Sequence, residues 1–215
     1  MDAAGIQRKI NRGGAIAARK LGQAFDLYRP NSATAPLDPA RRIGSLLAYL
    51  DPDFQFQAKK PNLYGKPIWG GLFDRTLTHT GDYLHGATGT FFVAAIQSIL
   101  PTAVVECNAI VILTRPAGNT AAGKQPYGGR RTTTDGLLLT GWPASMLRAG
   151  RTVAGRADLP GDVPDGGFEM LMPAVPGVTI RTSDRVTDNQ GRAFVVSSVE
   201  YTDLGVRAVL VLAAT

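Results

Sequence analysis

The chain has 215 residues, of which 44% are hydrophobic, with 25 glycines, 14 prolines and a formal net charge of +6. Its single cysteine, Cys107, excludes an internal disulfide, and no apolar run reaches the ~18 residues that a membrane-spanning helix needs. Many glycines and prolines favour short strands and turns over long helices. The length fits one large domain or two small ones, and the charges that interrupt every candidate signal sequence near the start predict a protein made in a cytoplasm.

Residues 1–24 are predicted to form a basic helical arm. Ile6, Ile10, Ala17 and Leu21 recur at helical spacing and lay a thin apolar stripe along one side, which two adjacent glycines interrupt. So thin a stripe cannot stabilise a helix alone. We therefore expect either a solvated helix at the domain edge or an arm that docks onto its own body or a neighbouring subunit. The candidate docking residues are Ile6, Arg8, Lys9, Ile10, Arg12, Arg19 and Lys20.

Residues 25–116 are predicted to form a first β module. The string NSATAPLDPARR indicates a linker near its start, and the alternation of Phe54, Phe56 and Ala58 with glutamines is typical of a half-buried strand. Further along, the strings VVECNAIVIL and VRAVLVLAA each predict one strand.

Two segments of the chain resemble each other. GDYLHGATGTFFVAAI, residues 81–96, and SDRVTDNQGRAFVVSS, residues 183–198, align without a gap. Each pattern predicts a strand, a turn that carries glycine and a second strand, which together form a β-hairpin. The likeness reflects either true internal repetition or the limited chemistry of turns. The matched structural residues are Asp82 with Asp184, Gly89 with Gly191, and Phe92 with Phe194.

Each hairpin is followed by a further strand, so each unit is a small antiparallel meander. One meander cannot bury its apolar face alone, whereas two can pack into a compact barrel or sandwich. The predicted fold is mainly β: two small barrel-like or sandwich-like meanders, an N-terminal helical arm and a long surface loop. The second β module is assigned to residues 168–215, and residues 117–167 are assigned to a surface excursion that contains a short helix.

The excursion begins with GNTAAGKQ, which matches seven of the eight positions of a phosphate-binding P-loop. Gln125 replaces the hydroxyl residue that would bind magnesium, and PYGGRR then opposes the helix that should hold the phosphate. We interpret the segment as a solvated loop and take Lys124, Arg130 and Arg131 as candidate partner-docking residues. TGWPASMLRAG is predicted to be the short helix, with Pro143 near its first turn.

The sequence predicts no catalytic, metal-binding or cofactor-binding residues, and so no enzyme. His79 and His85 flank Asp82 at three-residue spacing, which suggests a metal site. Asp184 occupies the matching place with no histidine nearby, however, so we assign both aspartates to the hairpin structure. Cys107 lies in an apolar strand and is predicted to be a small buried hydrophobe rather than a nucleophile.

Five strings carry a resemblance to a known family: GDYLHGATGTFFVAAI, VVECNAIVILTRP, TGWPASMLRAG, LPGDVP and GFEMLMPAVPGV. They resemble proteins encoded in the virion-structure modules of tailed bacteriophages and prophages, over most of the chain from about residue 24. SDRVTDNQGRAFVVSSVE is also similar in form to a segment of the β-barrel neck proteins of phages, the head-to-tail stoppers and tail-completion proteins. Those proteins typically have one such segment where this chain has two, and its basic helix has no obvious counterpart there.

The resemblance implies a structural subunit of the virion that assembles as a ring or collar at the head-tail junction or in the tail. Its partners would be copies of itself and other phage structural proteins, such as the portal or adaptor, the tail tube or the baseplate, with no membrane involved. One alternative is a baseplate or tail-tip protein. Another is a nucleic-acid-binding β-barrel, which the absence of basic residues among Phe91, Phe92 and their aliphatic neighbours disfavours.

Overall fold

The computed structural model describes residues 2–52, 67–98, 100–116, 135–148 and 167–213. Within these ranges the fold is mainly β, as predicted. An N-terminal helix, α1 (Ala3–Leu21), precedes the strands. The strands are β1 (Gln23–Tyr28), β2 (Arg42–Asp51), β3 (Ile68–Phe73), β4 (Tyr83–Gly86), β5 (Gly89–Ala95), β6 (Thr102–Cys107), β7 (Ala109–Arg115), β8 (Gly136–Arg148), β9 (Phe168–Met172), β10 (Arg185–Asp188), β11 (Ala193–Thr202) and β12 (Gly205–Leu212).

The strands form two closed antiparallel barrels of six strands each. The first has the order β1-β2-β3-β6-β5-β4 and closes between β4 and β1. The second has the order β7-β8-β9-β12-β11-β10 and closes between β10 and β7. The connectivity is the same in both, because in each barrel the first strand pairs with the second and fourth and the third pairs with the sixth. The internal likeness therefore extends over six strands in each half.

The two barrels also share an irregularity. The fifth strand of the first barrel shifts register against its neighbour between Val93 and Ala95, and that of the second barrel does so between Val196 and Ser198. A β-bulge bends its strand and increases the local twist, which helps a short sheet to close. The equivalent bulge position indicates that the fifth strand bends at the same place in both barrels.

The gap-free alignment of the hairpins is wrong at the turn. Leu84 pairs with Phe91 in the first hairpin, whereas Val186 pairs with Phe194 in the second. Phe194 is therefore the counterpart of Phe91 and not of Phe92, because the second turn is one residue longer. Both counterparts are buried. Sequence letters alone cannot locate this extra residue, since the length of a turn fixes the register only once the strands are paired.

The boundary between the two β modules also differs from the prediction. VVECNAIVIL is not one strand: it divides at Asn108 into β6 and β7, and β7 begins the second barrel. The side-chain amide of Asn108 donates to Met146 O at 2.9 Å and accepts from Met146 N at 2.7 Å, while its backbone N donates to Ala144 O at 3.1 Å. These bonds fix the point at which the chain passes from the first barrel to the second. The second barrel therefore begins at residue 109, and not at residue 168, where the second β module was predicted to begin.

The predicted helix TGWPASMLRAG is wrong, because these residues form the end of β8 up to Arg148. Residues 142–146 are all buried. Trp142, Ala144 and Met146 belong to the apolar core, whereas Pro143 accepts a hydrogen bond from the Tyr83 hydroxyl of the first barrel at 2.7 Å. A strand that is buried on both faces reads as a continuous apolar run, which the sequence alone does not distinguish from a helix.

The contact between the barrels is buried and apolar. Tyr28, Tyr83 and Phe92 point out of the first barrel and join the core cluster of the second, where the Tyr83 ring lies 6.0 Å from the Trp142 ring. The presumed linker near residue 33 is part of this contact, since Ala33 O accepts a hydrogen bond from Trp142 Nε1 at 2.8 Å. These contacts join the two barrels into one packed unit.

A bidentate ion pair stands at the closing seam of the first barrel. Tyr28 pairs with Tyr83 across that seam, and the next residues outward are Arg29 and Asp82. Arg29 donates from Nε and Nη2 to the two Asp82 oxygens at 2.8 Å each, and it also donates to Leu77 O at 2.9 Å. The hydrogen bonds with Asp82 raise the pKa of the Arg29 guanidinium.

The second barrel repeats this pair. Arg115 donates to the two Asp184 oxygens at 2.8 and 2.9 Å, and to Thr179 O at 2.7 Å. In both barrels the backbone N of the residue three positions before the aspartate donates a further bond of 2.7 Å to the carboxylate. Each aspartate side chain is 2% exposed, so these hydrogen bonds, and not water, stabilise its negative charge.

We expect Arg115→Met and Arg29→Met each to lower the free energy of unfolding by about 3 kcal/mol, because each change leaves a buried carboxylate without its main partner. The matched control is Arg42→Met, which breaks the exposed Arg42–Asp26 pair and should change stability little. Urea unfolding at pH 7 measures all three variants. Equal losses at Arg42 and Arg115 would contradict a special role for the seam pairs.

A third buried carboxylate, Asp188, holds the turn after β10. Its side chain accepts from the backbone N of Gln190 and of Arg192, and from Arg192 Nε at 2.7 Å. Burial by itself would raise the pKa of Asp188, but the hydrogen bonds from Arg192 and Gln190 outweigh it, so that the pKa is lowered.

A lowered folded-state pKa means that the stability contributed by Asp188 is complete above its unfolded-state pKa of about 4 and is lost as the pH falls through the folded-state value. We therefore expect Asp188→Asn to destabilise the protein by a constant amount between pH 5 and 7, and by less as the pH falls below about 4. Urea unfolding across this pH range measures the difference. A difference that grows on acidification would contradict the assignment.

Candidate functional site

A cleft lies between the two barrels. It encloses about 310 Å³. Its first wall consists of residues that point out of the first barrel and are apolar: Ile68, Phe92, Ala94, Ala103 and Val105. Its second wall comes from β9, β11, β12 and the turn that joins the last two strands, and it combines apolar and charged residues: Glu169, Leu171, Glu200, Thr202, Leu204, Gly205, Val206 and Arg207.

The charges of the cleft all lie on the side of the second barrel. Arg207 Nε donates to Glu169 Oε1 at 2.5 Å, and Arg207 Nη1 lies 3.9 Å from a Glu200 oxygen. Asp203, which is exposed, occupies the turn between the lining residues Thr202 and Leu204. Three acids against one cation make this side acidic. The apolar lining residues of both walls, among them Ile68 and Leu204, form what we call the floor of the cleft.

The helical arm docks onto its own body, which was one of the alternatives from the sequence. Asp2 caps α1 by accepting from the backbone N of Gly5 at 2.9 Å, and Ala18 is buried. A Cβ on Gly14 would lie 3.0 Å from Phe73 O, and one on Gly22 would lie 2.7 Å from Ala48 O. The helix therefore rests closely against the ends of β2 and β3.

The apolar stripe predicted on α1 is not the face that docks. Of its residues, Ile6 and Leu21 are exposed, and Ile10 and Ala17 are half-buried. The face toward the barrel instead runs through Gln7, Asn11 and Ala18 at intervals of four and seven. Gly14 lies on that same face. The packing uses small residues that allow a close approach of backbones, so the glycine that interrupts the stripe in the sequence is a contact point in the structure.

The opposite face of α1 is basic. The predicted cations Arg8, Lys9, Arg12, Arg19 and Lys20 are all exposed, and Ile10 is half-buried. The helix contains these five basic residues and no acidic ones, which leaves 18 basic and 17 acidic residues elsewhere in the chain. Nearly all of the net charge of +6 therefore belongs to one helix.

The residues that the sequence assigned to the hairpin structure lie in turns or in buried packing. Gly89 and Gly191 have positive φ angles of 137° and 78° in their turns, where a side chain would be strained. Phe92 is buried between the barrels and Phe194 in the second core. Lys124, Arg130 and Arg131 lie outside the described residues, as do the P-loop-like segment and the strand predicted around Phe54.

The histidines flanking Asp82 do not converge with it on an open site. Both Asp82 oxygens accept hydrogen bonds, from Arg29 and from the His79 backbone N, while His85 Nδ1 lies 2.8 Å from Thr90 Oγ1. Among the described residues, no three His, Cys, Asp or Glu side chains are placed to hold a metal ion. Burial raises the pKa of the Cys107 thiol, which lowers its thiolate fraction at neutral pH.

No family model, characterised protein or solved structure matches this chain. In the described part of the chain, none of the helices has the length and apolar character needed to cross a membrane. The structural features that bear on function are the cleft, the basic helix face and the packed pair of barrels.

The close contact at Gly14 can be tested with two neighbouring glycines. Gly13→Ala should stabilise α1 by about 0.5–1 kcal/mol, because alanine favours the helix and a Cβ at this position meets nothing within 4 Å. Gly14→Ala gains the same propensity but pushes against Phe73 O, so docking should weaken. Hydrogen exchange of the α1 amides should slow in the first variant and quicken in the second. Equal slowing in both would contradict the contact.

Proposed function

We propose that the protein is a structural subunit of a tailed-phage particle, assembling as a ring or collar at the head-tail junction or in the tail. Its role is to hold neighbouring proteins by geometry. The observation that carries the proposal is the pair of closed barrels joined by a buried interface into one packed unit, with separate surfaces left for partners. The particle itself is suggested by the strings that resemble virion-structure proteins.

A holding function needs surfaces whose relative positions do not change. Hydrogen bonds from Tyr83 to Pro143 and from Trp142 to Ala33 span the contact between the barrels at 2.7 and 2.8 Å. Asn108, the residue that joins the barrels, bonds to Met146 of the second barrel at 2.7 and 2.9 Å. Aromatic and aliphatic residues of both barrels share one core cluster there. The acidic cleft and the basic face of α1 are thus presented at a fixed spacing, which suits a subunit that must meet two neighbours at once.

The baseplate or tail-tip alternative uses the same rigidity at another place in the particle.

The nucleic-acid alternative requires exposed aromatic side chains interleaved with cations. Phe91 and Phe92 are buried, one within the first barrel and one between the barrels. Helix α1 contains no aromatic residue beside its cations, which favours contact with an acidic protein surface.

The test is a stop codon in the gene that encodes this chain, in its own phage or prophage, with complementation from a plasmid. We expect the protein in purified wild-type particles by mass spectrometry, and unjoined heads and tails in the mutant by negative-stain microscopy. Complementation should restore joined particles.

Other outcomes separate the alternatives. Loss of complete tails would favour the baseplate or tail-tip role. A protein that is absent from purified particles would overturn the proposal, and tight, steeply salt-dependent binding of single-stranded DNA in a filter assay would favour the nucleic-acid role instead.

A further inference from the structure

The exposed face of α1 carries an apolar residue between two cations. Ile16 is 45% exposed, and Arg12 and Lys20 lie four residues before and after it, one turn away on the same side of the helix. At 1.5 Å per residue, the stripe from Arg12 to Lys20 is about 12 Å long. Ile16 therefore stands in the middle of a short basic stripe on the side turned away from the barrel.

The cleft has the complementary pattern. Ile68 and Leu204 line it and remain 42% and 44% exposed, so its apolar floor is open to solvent. The Glu200 side chain at its edge is 63% exposed, and Asp203 lies in the adjoining turn. An apolar floor beside exposed acids fits an isoleucine flanked by cations.

The helix and the cleft of one copy are separate surfaces. α1 rests at the Phe73 end of β3, whereas Ile68, at the other end of the same strand, lines the cleft. Five residues of strand separate these positions by about 17 Å. The Gly14 and Ala18 face holds α1 against its own barrel, so the Arg12–Ile16–Lys20 stripe points away from that barrel.

We propose that α1 of one copy docks in the cleft between the barrels of a second copy. Ile16 enters the apolar floor, and Arg12 and Lys20 face Glu200 and Asp203. The two surfaces differ, so the contact is heterologous and repeats head to tail until it closes as a ring or extends as a filament. The inference rests on the proposed function only for the place of this assembly in the particle.

The experiment is a charge swap in purified full-length protein. Variant A carries Arg12→Glu and Lys20→Glu; variant B carries Glu200→Lys and Asp203→Lys, which leaves the Arg207–Glu169 pair intact. Sedimentation velocity measures self-association over a concentration series at low and high salt. Wild type should associate, and more weakly at high salt, whereas A alone and B alone should each associate at least about tenfold more weakly, since like charges then face each other.

An equimolar mixture of A and B restores both contacts, because the acidic helix of A meets the basic cleft of B and the unchanged helix of B meets the unchanged cleft of A. We expect the mixture to associate within about threefold of wild type. Arg148→Glu, at an exposed position of β8 outside both surfaces, is the control and should associate as wild type does.

Three outcomes would overturn the docking: a wild type that stays monomeric throughout, variants that associate normally, or a mixture that fails to recover while circular dichroism shows both variants folded. None of these depends on whether the protein is found in particles. Failure of the docking is therefore distinguishable from failure of the proposed function.

Discussion

The fold depends on closing each sheet on itself, and at each closure an arginine pairs with a buried aspartate. The closing strands are far apart in the chain: the pairs join residues 53 and 69 positions apart. Arg29 and Arg115 follow the first strand of their barrel or end it, and Asp82 and Asp184 directly precede the fourth. Each guanidinium also donates to the loop that leads into the aspartate. One interaction therefore fixes both the register of the seam and the entry of the chain into it.

The two barrels differ in the residues that face outward at the closing seam. In the first, Tyr28 and Tyr83 face outward across the seam and are covered by the second barrel. The corresponding pair in the second barrel is Thr114 and Arg185, and Arg185 forms an ion pair with Asp135. Polar residues stand here in place of aromatic ones, and within the described residues no further barrel covers this face. The contact between the barrels is thus made once per chain, and any larger assembly must use other surfaces.

Two such surfaces are consequences of the same architecture. The cleft exists because two convex barrels meet along only part of their facing sides, leaving Ile68 and Leu204 open. The basic helix face exists because α1 packs through glycine and alanine, which places its longer side chains in solvent. Rigid packing within the chain and open, oppositely charged surfaces outside it are therefore compatible with a subunit that joins neighbours.

The sequence alone determined the local features: the two hairpins, the aspartates that begin them, the glycines in their turns, and a basic helix before a β-rich body. These depend on short-range periodicity and turn chemistry, which neighbouring residues specify. Tertiary structure decided the rest. Residues 142–146 form a strand because the core of the second barrel buries one face of it and the first barrel buries the other. Asn108 divides a segment that reads as one strand in the sequence, because β8 binds its side-chain amide. The contact at Gly14 and the cleft exist only because distant strands close into barrels. Both features are formed by residues that lie far apart in the sequence, so short-range patterns do not reveal them.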